Sequence, residues 1–351
     1  MAHIRVALTI VALLNSSVSA AEAAREYFTL PFNVKAYGNP DDLATDSDVD
    51  LVVCCTRVDT HGLTTGPSLR AGKALYVEWP LVKDYEEAVA LTGDKRIDNS
   101  IIGLQGLVSP IVLKLKEIIH TGRVGRGLSS DIRAYGNLLP SDTLPEGLSY
   151  FADRTVGGNH ITIAYGHTID YVHDVVGDFA WFQSRMQIQR PVVKITDGDS
   201  QPRQMQTDVP DFLAIHGKLA GGKANIAEDA TLSFTYRTGK QFKGTPGFIW
   251  TINGAYVHSD SYKDPIEIQI HDHDTDEVIR VEWDWQDWQK DPPYRSRIVA
   301  ELYERFAHWW ENGKPADDLP EGEYWPRLHD AVARMKELDT VFKQYDAQKS
   351  S

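Results

Sequence analysis

From Ser19 to Leu104 short apolar runs alternate with helix-like stretches, and from Leu128 onward strand-like runs follow one another. That switch constrains the fold more than any single residue. Strands alternating with helices close into a parallel sheet covered on both faces, whereas consecutive strands make an antiparallel or mixed sheet. The run Leu51-Val52-Val53-Cys54-Cys55 is continuously apolar, as a strand buried on both faces requires. Ser19–Phe28 reads as a helix behind the cap candidates Asn15, Ser16 and Ser17. Ala74–Val77 and Ser100–Leu104 read as strands, Tyr85–Leu91 and Ser109–His120 as helices, and Gly122–Gly125 as the turn out of this half. Strands are then expected at Leu128–Tyr135, Phe212–Leu219, Ala230–Tyr236, Phe248–Asn253, Ile266–His271 and Val278–Trp283. One helix, about Asn159–Val176, is set among them, and helices return at Arg295–Glu311 and about Tyr324–Tyr345. The expectation is an α/β domain over 1–124 and an α+β domain over 125–351, with the last helices as candidates to pack back on the first domain.

A chain of 351 residues can build two such cores. Its formal net charge is −14, and its densest basic stretch, Lys114–Arg126, is diluted by Glu117, so nucleic acid is not an expected partner. No apolar run reaches the roughly 18 residues of a membrane-spanning helix, so no membrane partner is expected either. The two cysteines, Cys54 and Cys55, are neighbours on one strand and point to opposite faces, so they are read as small apolar residues rather than a bridge. A chain without disulfides suits the cytoplasm.

The amino terminus allows two readings. Met1–Ala20 has a weakly basic start, an apolar middle and the small-residue site Val18-Ser19-Ala20, which is the pattern of a secretory signal. Alternatively Ile4–Leu8 and Ile10–Leu14 are two strands of the α/β domain. Parallel neighbours need a crossover of about a dozen residues or more, and none separates Thr9 from Ile10. One continuous strand from His3 to Leu14 is then expected in place of two.

Two segments carry the sharpest signal: Val77-Glu78-Trp79-Pro80, and Gly157-Gly158-Asn159-His160-Ile161-Thr162-Ile163-Ala164-Tyr165-Gly166-His167-Thr168-Ile169-Asp170. Together they resemble the signature segments of the glucose–fructose oxidoreductase/inositol dehydrogenase (Gfo/Idh/MocA) family. They are most similar to a fungal branch that includes the repressor of the galactose pathway and oxidoreductases of specialised metabolism; Lys243–Gly247 also looks like that branch. The resemblance implies a Rossmann-type nucleotide domain followed by a sheet-based substrate domain. The glycine-rich phosphate turn of the nucleotide domain has no counterpart here, because no glycine precedes Gly38 and Gly62, Gly66 and Gly72 do not match its spacing. The nucleotide domain is therefore expected to be incomplete and cofactor binding by this form doubtful. The resemblance places Asn15 and Ser16 at the ribose end of the cofactor. Uncharged residues there leave room for a 2′-phosphate, so NADP is at least as plausible as NAD; the bland reading is that they only cap the helix. Thr56, Arg57, His61, Glu78, Trp79 and Pro80 are the remaining expected cofactor contacts, and the bond before Pro80 is a candidate cis peptide.

The family's lysine is Trp79 here and its first aspartate is Ile163, neither of which exchanges a proton at neutral pH. His167 and Asp170, three apart on a helix, match the last two signature positions. His167 is the expected acid/base with Asp170 orienting it, and Trp79 packs near the nicotinamide; the competing readings are a core histidine and a packing tryptophan. Asn159, His160 and Tyr165 are the expected substrate contacts. His271 and His273 could ligate a metal, but a hairpin tip explains them better and no metal is expected. Trp283, Trp285 and Trp288 could line a sheet edge, an oligomer surface or a carbohydrate platform. The function expected from the resemblance is an NAD(P)-dependent oxidoreductase of a sugar, polyol or related hydroxy/oxo compound, a homo-oligomer through its C-terminal sheet. The alternative is a non-catalytic regulator that binds a protein partner.

Overall fold

The computed structural model describes residues 8–93, 97–136, 139–198, 201–259, 266–314 and 319–349. The chain forms two compact units, Met1–Gln105 with Pro292–Met335 and Gly106–Asp291 with Lys336–Ser351.

In the first unit β1 (Ala12–Leu14) runs into α1 (Val18–Tyr27). Extended Ser17 caps that helix, its Oγ accepting the Ala20 N–H at 3.1 Å. β2 (Lys35–Tyr37) pairs with β1 in parallel, and Asn39 caps the short α2 (Pro40–Thr45). Next come β3 (Leu51–Cys54), α3 (His61–Arg70), β4 (Ala74–Val77), α4 (Tyr85–Thr92) and β5 (Ser100–Ile102). β3, β4 and β5 form a parallel sheet in that order. Every residue of β4 and β5 is buried, as their apolar runs demand. Val53 in β3 is instead 48% exposed. Among the described residues no strand joins β1 to β3, so the parallel strands stand as a pair and a trio.

A single continuous strand from His3 to Leu14 is not formed, because residues 8–11 are irregular; among the described residues the first strand is Ala12–Leu14, and Met1–Ala7, with most of the expected Ile4–Leu8 strand, lie outside them.

The second unit opens with α5 (Pro110–His120), whose Ile111, Leu115, Ile118 and Ile119 are buried. β6 (Gly127–Gly136) and β7 (Thr143–Pro145) follow. The central helix begins as a π-turn over Ile161–Tyr165 and continues as α6 (Gly166–Val176). The remaining strands are β8 (Phe179–Gln187), β9 (Val192–Thr196), β10 (Arg203–Gln206), β11 (Phe212–Leu219), β12 (Ile226–Thr238), β13 (Phe248–Ile252), β14 (Ala255–Ser259), β15 (Glu267–Asp272) and β16 (Glu277–Val281). Seven of them join β6 in one eight-stranded sheet among the described residues, β16-β15-β14-β13-β6-β12-β11-β8, in which only the β6–β12 pair is parallel. The central helix lies on this sheet: Tyr165 meets Phe234 of β12 edge-on at 5.1 Å, and Tyr171 lies 6.1 Å from Trp250 of β13. The last strand stops at Val281, so the Trp283 series follows the sheet rather than lying in it; the Trp283 indole N–H donates to the Ile266 carbonyl at 2.8 Å. His271 lies near the end of β15 and His273 opens the hairpin turn to β16, and among the described residues no cluster of three or more His, Cys, Asp or Glu is placed to hold a metal.

α7 (Arg297–Glu311) belongs to the first unit. Its Phe306 and Trp309 pack around Trp325, whose indole N–H donates to the Ser100 carbonyl at 2.8 Å. The Ile102 N–H donates to the Pro326 carbonyl at 3.0 Å, so this segment lies along the end strand β5. α8 (Leu328–Lys349) closes the chain. Among the described residues no helix is long and apolar enough to cross a membrane.

Candidate active site

The first unit gathers its candidate residues at the carboxyl ends of β3, β4 and β5, where doubly wound sheets hold ligands. After β3, Thr56 Oγ1 meets Thr60 Oγ1 at 2.9 Å, and Arg57 is held on Asp59 through Nε and Nη2 at 2.6 and 2.7 Å. His61 is buried, with Nε2 2.9 Å from the Thr56 carbonyl and Nδ1 3.1 Å from those of Pro80 and Leu81. Both ring nitrogens therefore face backbone, and His61 ties the loop after β3 to the loop after β4. In that second loop Trp79 is buried and its bond to Pro80 is cis. Glu78 accepts the Tyr76 hydroxyl at 2.9 Å. Gly103, past the end of β5, is needed because a Cβ there would come 2.7 Å from Glu78 Oε2. Burial raises the Glu78 carboxyl above its ordinary range, against the pull of the Tyr76 hydroxyl. The Tyr303 ring of α7 stacks on Tyr76 at 5.2 Å, and burial, then the charges of Cys55 and Glu78, raises its phenol. Tyr76 and Tyr303 were not foreseen. Tyr76 and Glu78 are two apart on one strand direction and so share a face, which was a readable signal. Nothing local points from Tyr76 to Tyr303.

In the second unit the signature segment begins at Gly157, whose φ of +85° closes the preceding turn in the left-handed region. Asn159 is fully buried, and its Oδ1 accepts the N–H groups of Ile161 and Thr162 at 2.9 and 3.1 Å. Its Nδ2 has no hydrogen-bond partner among the described residues. π-turns often mark functional sites, and this one carries Ile163. His160 and His167 are partly buried, and burial pulls both imidazoles down to about 4. Asp170 does not orient His167. It lies on the buried face of α6, while His167 lies on the partly buried one and hydrogen-bonds to no described residue. Tyr165 is also turned inward: its hydroxyl donates to Glu337 Oε1 at 2.5 Å, and His173 Nε2 meets Glu337 Oε2 at 3.0 Å. Tyr165 thus anchors α8.

Asn15 spends its Oδ1 on the Ser16 N–H at 2.8 Å, and Gly38 packs against the start of α1, where a Cβ would lie 2.7 Å from the Val18 nitrogen. At the expected ribose end, Asn15 Oδ1 and Ser17 Oγ are spent on closing the turn into α1, and no glycine precedes Gly38 to build a diphosphate turn, so the residues present do not fit the diphosphate of a dinucleotide.

Residues 1–94 match the oxidoreductase family with the NAD-binding Rossmann fold, Gfo/Idh/MocA, and residues 110–256 match the C-terminal domain of Gal80p. A dehydrogenase of Aspergillus oryzae, aclE, is 36% identical over 220 residues, 60% of this chain. The match spans only 57% of that relative's length. The crystal structure of the transcriptional regulator Gal80p from Kluyveromyces lactis superposes with a TM-score of 0.79 at 22% identity, covering 96% of this chain and 85% of that one. Levoglucosan dehydrogenase in complex with NADH and levoglucosan superposes with a TM-score of 0.73 at 16% identity, covering 96% and 88%. These likenesses show a shared fold. The chain is thus similar over residues 1–94 to the Gfo/Idh/MocA oxidoreductase family and, next along the sequence, over residues 110–256 to the C-terminal domain of Gal80p.

Proposed function

We propose that this protein is an oxidoreductase of a sugar, polyol or related hydroxy/oxo compound, built for a nicotinamide cofactor whose diphosphate seat this chain lacks. One observation carries the reading: the neutral, unpartnered imidazole of His167 on the partly buried face of the signature helix. A neutral imidazole accepts a hydrogen bond from a substrate hydroxyl, and accepts its proton as that group becomes a carbonyl. Trp79 offers an aromatic wall in place of the family's lysine, and Glu78 with Tyr76 fixes the loop that carries it. The uncharged Asn15 and Ser16 suit NADP at least as well as NAD. We place the protein in the cytoplasm, as a homo-oligomer through its C-terminal sheet. The aclE and levoglucosan dehydrogenases support the oxidoreductase reading by their names.

A second reading, a regulator that binds a protein partner as Gal80p does, is favoured by the replacement of both proton-exchanging signature positions, at Trp79 and Ile163. The test restores a strand, glycine-rich turn and helix between Thr9 and Ile10, then assays turnover of both nicotinamide cofactors across sugars, polyols and ketones. Turnover that falls by about 10²–10⁴-fold in His167→Ala supports the enzyme. A restored chain inactive on the whole panel gives way to the regulator.

A further inference from the structure

The second unit also holds a cavity of about 250 Å³ to which no residue of the signature helix contributes. One wall is α5, with Val108 just before it and Leu113, Lys114 and Glu117 along it. The other is the irregular segment after β16, with Trp283 and Asp284. The floor is apolar. Val108 is 1% exposed, and Leu113 and Trp283 are partly buried. The Trp283 indole N–H is spent on the Ile266 carbonyl at 2.8 Å, so its ring offers a π surface and no donor. Trp285 meets that ring edge-on at 6.1 Å and steadies it. The rim is charged, and its balance is acidic: two carboxylates, Glu117 and Asp284, stand against one ammonium, Lys114. Glu117 already engages Lys114 at 2.6 Å, and its side chain is 59% exposed. Asp284 meets Lys290 at 2.6 Å, accepts the Trp285 N–H at 2.8 Å and is 71% exposed. The exposed carboxylates mark the mouth, and the buried Val108 marks the floor.

An anion entering here meets an ammonium that is already paired and two carboxylates that repel it. A molecule without charge fills the floor but gives the rim nothing for the water it displaces. A cation with a hydrocarbon body satisfies both zones. Its charge lies between the two carboxylates and on the π face of Trp283, and its body covers Val108 and Leu113. Exposed ion pairs hold weakly, so the lysines on Glu117 and Asp284 yield to a cation that also buries apolar surface. The volume lies just under the roughly 300–1,000 Å³ of sites for drug-sized ligands, which suits a single ring on a short chain. We propose that this cavity is a binding site for a small organic cation with an apolar body, an aryl- or alkylammonium, held by Glu117, Asp284 and the face of Trp283. It shares no residue with the candidate active site, so it stands apart from the oxidoreductase reading.

The test uses the full chain, ¹⁵N-labelled at tryptophan. It is titrated separately with 2-phenylethylammonium, 2-phenylethanol and phenylacetate, three probes of nearly one size that differ in charge. The indole N–H resonance of Trp283 is followed after assignment with Trp283→Phe. The ammonium should move that resonance with a Kd of about 1 mM or tighter, about tenfold tighter than the alcohol, and phenylacetate should bind weakest. Glu117→Gln with Asp284→Asn changes two exposed side chains and leaves the floor intact. It should weaken the ammonium by about tenfold and leave the alcohol unchanged. Equal or tighter binding of the alcohol or of phenylacetate to the natural chain overturns the proposal, and so does an ammonium that leaves the Trp283 resonance in place. Undiminished ammonium binding in the double variant also overturns it, because the attraction is then that of a chain with net charge −14 rather than of this cavity. No sugar and no nicotinamide cofactor enters the readout, so the result bears on this cavity alone.

Discussion

An imidazole partly withdrawn from water and hydrogen-bonded to no described residue is costly to protonate, and His160 and His167 share that condition. Their folded values near 4 lie below the roughly 6.5 of an unfolded histidine. Above pH 6.5 neither state is protonated and they contribute nothing. As pH falls from 6.5 towards 4 the unfolded chain takes up protons that the folded chain refuses, so stability falls with pH by up to ~1.4 kcal/mol per pH unit for each histidine. Below 4 the loss levels off. Urea denaturation at steps between pH 7 and 4 should show this slope, and His160→Phe with His167→Leu should flatten it; an unchanged slope assigns the acid sensitivity elsewhere. A second residue-scale case is Arg327, almost fully buried, paired with Asp98 and lying over the Trp325 ring at 4.5 Å. Asp98→Ala leaves that guanidinium short of a carboxylate inside the first unit, and should cost ~3 kcal/mol in denaturant melts. Arg327→Met with Asp98→Ala should recover much of the loss. The substitutions at Trp79 and Ile163 were legible from the sequence because they fall inside fixed-spacing motifs. The inward turn of Tyr165 was not legible, because its partner Glu337 lies on a helix far along the chain.

At the scale of elements, α8 closes the open edge of the large sheet by side chains. β8 is an end strand of that sheet. The Gln344 amide accepts from the Ser184 N–H at 2.6 Å and donates to the Phe182 carbonyl at 3.2 Å, and Gln348 donates to the Ser184 carbonyl at 2.6 Å. Two glutamines thus occupy backbone groups that a further strand would otherwise claim. Gln344→Leu should destabilise the chain by ~1–3 kcal/mol and increase its association at high concentration, read by melting and by light scattering. A variant as stable and as monodisperse as the natural chain would show that the edge needs no cover. Most elements were legible from apolar period, because their buried faces are continuous. β8 was not, since only Ser184 and Met186 are buried along it and the buried position at Ser184 is polar, so its alternation does not show as an apolar period. β14 was missed despite a readable signal: Asn253-Gly254 joins Ile252 to Ala255 in a two-residue hairpin with Asn253 at φ +48°.

For the whole molecule, the fold was legible further than the cofactor site was. The change from alternating to consecutive strands marked out a nucleotide-type unit and a sheet unit, and the family matches agree with it. From the sequence a missing crossover is also expected at Thr9–Ile10, and the expected Ile4–Leu8 strand lies mostly outside the described residues. Among the described residues the parallel strands form β1-β2 and β3-β4-β5, with Val53 48% and Leu63 of α3 74% exposed. A strand, glycine turn and helix inserted at Thr9–Ile10 would supply both a diphosphate seat and an apolar cover. The natural chain should therefore bind NADH and NADPH too weakly to saturate at millimolar concentration in calorimetry, and the inserted variant should bind one of them at least about a hundredfold more tightly. Val53→Asp separates the two roles of the insert. In the natural chain the side chain is half in water, and the change should alter stability by under ~1 kcal/mol. In the inserted variant the same carboxylate becomes buried without a partner and should cost several times as much. Sub-micromolar NADH affinity in the natural chain would show that another segment has taken over the diphosphate. An equal cost of Val53→Asp in both backgrounds would show that the insert does not cover β3.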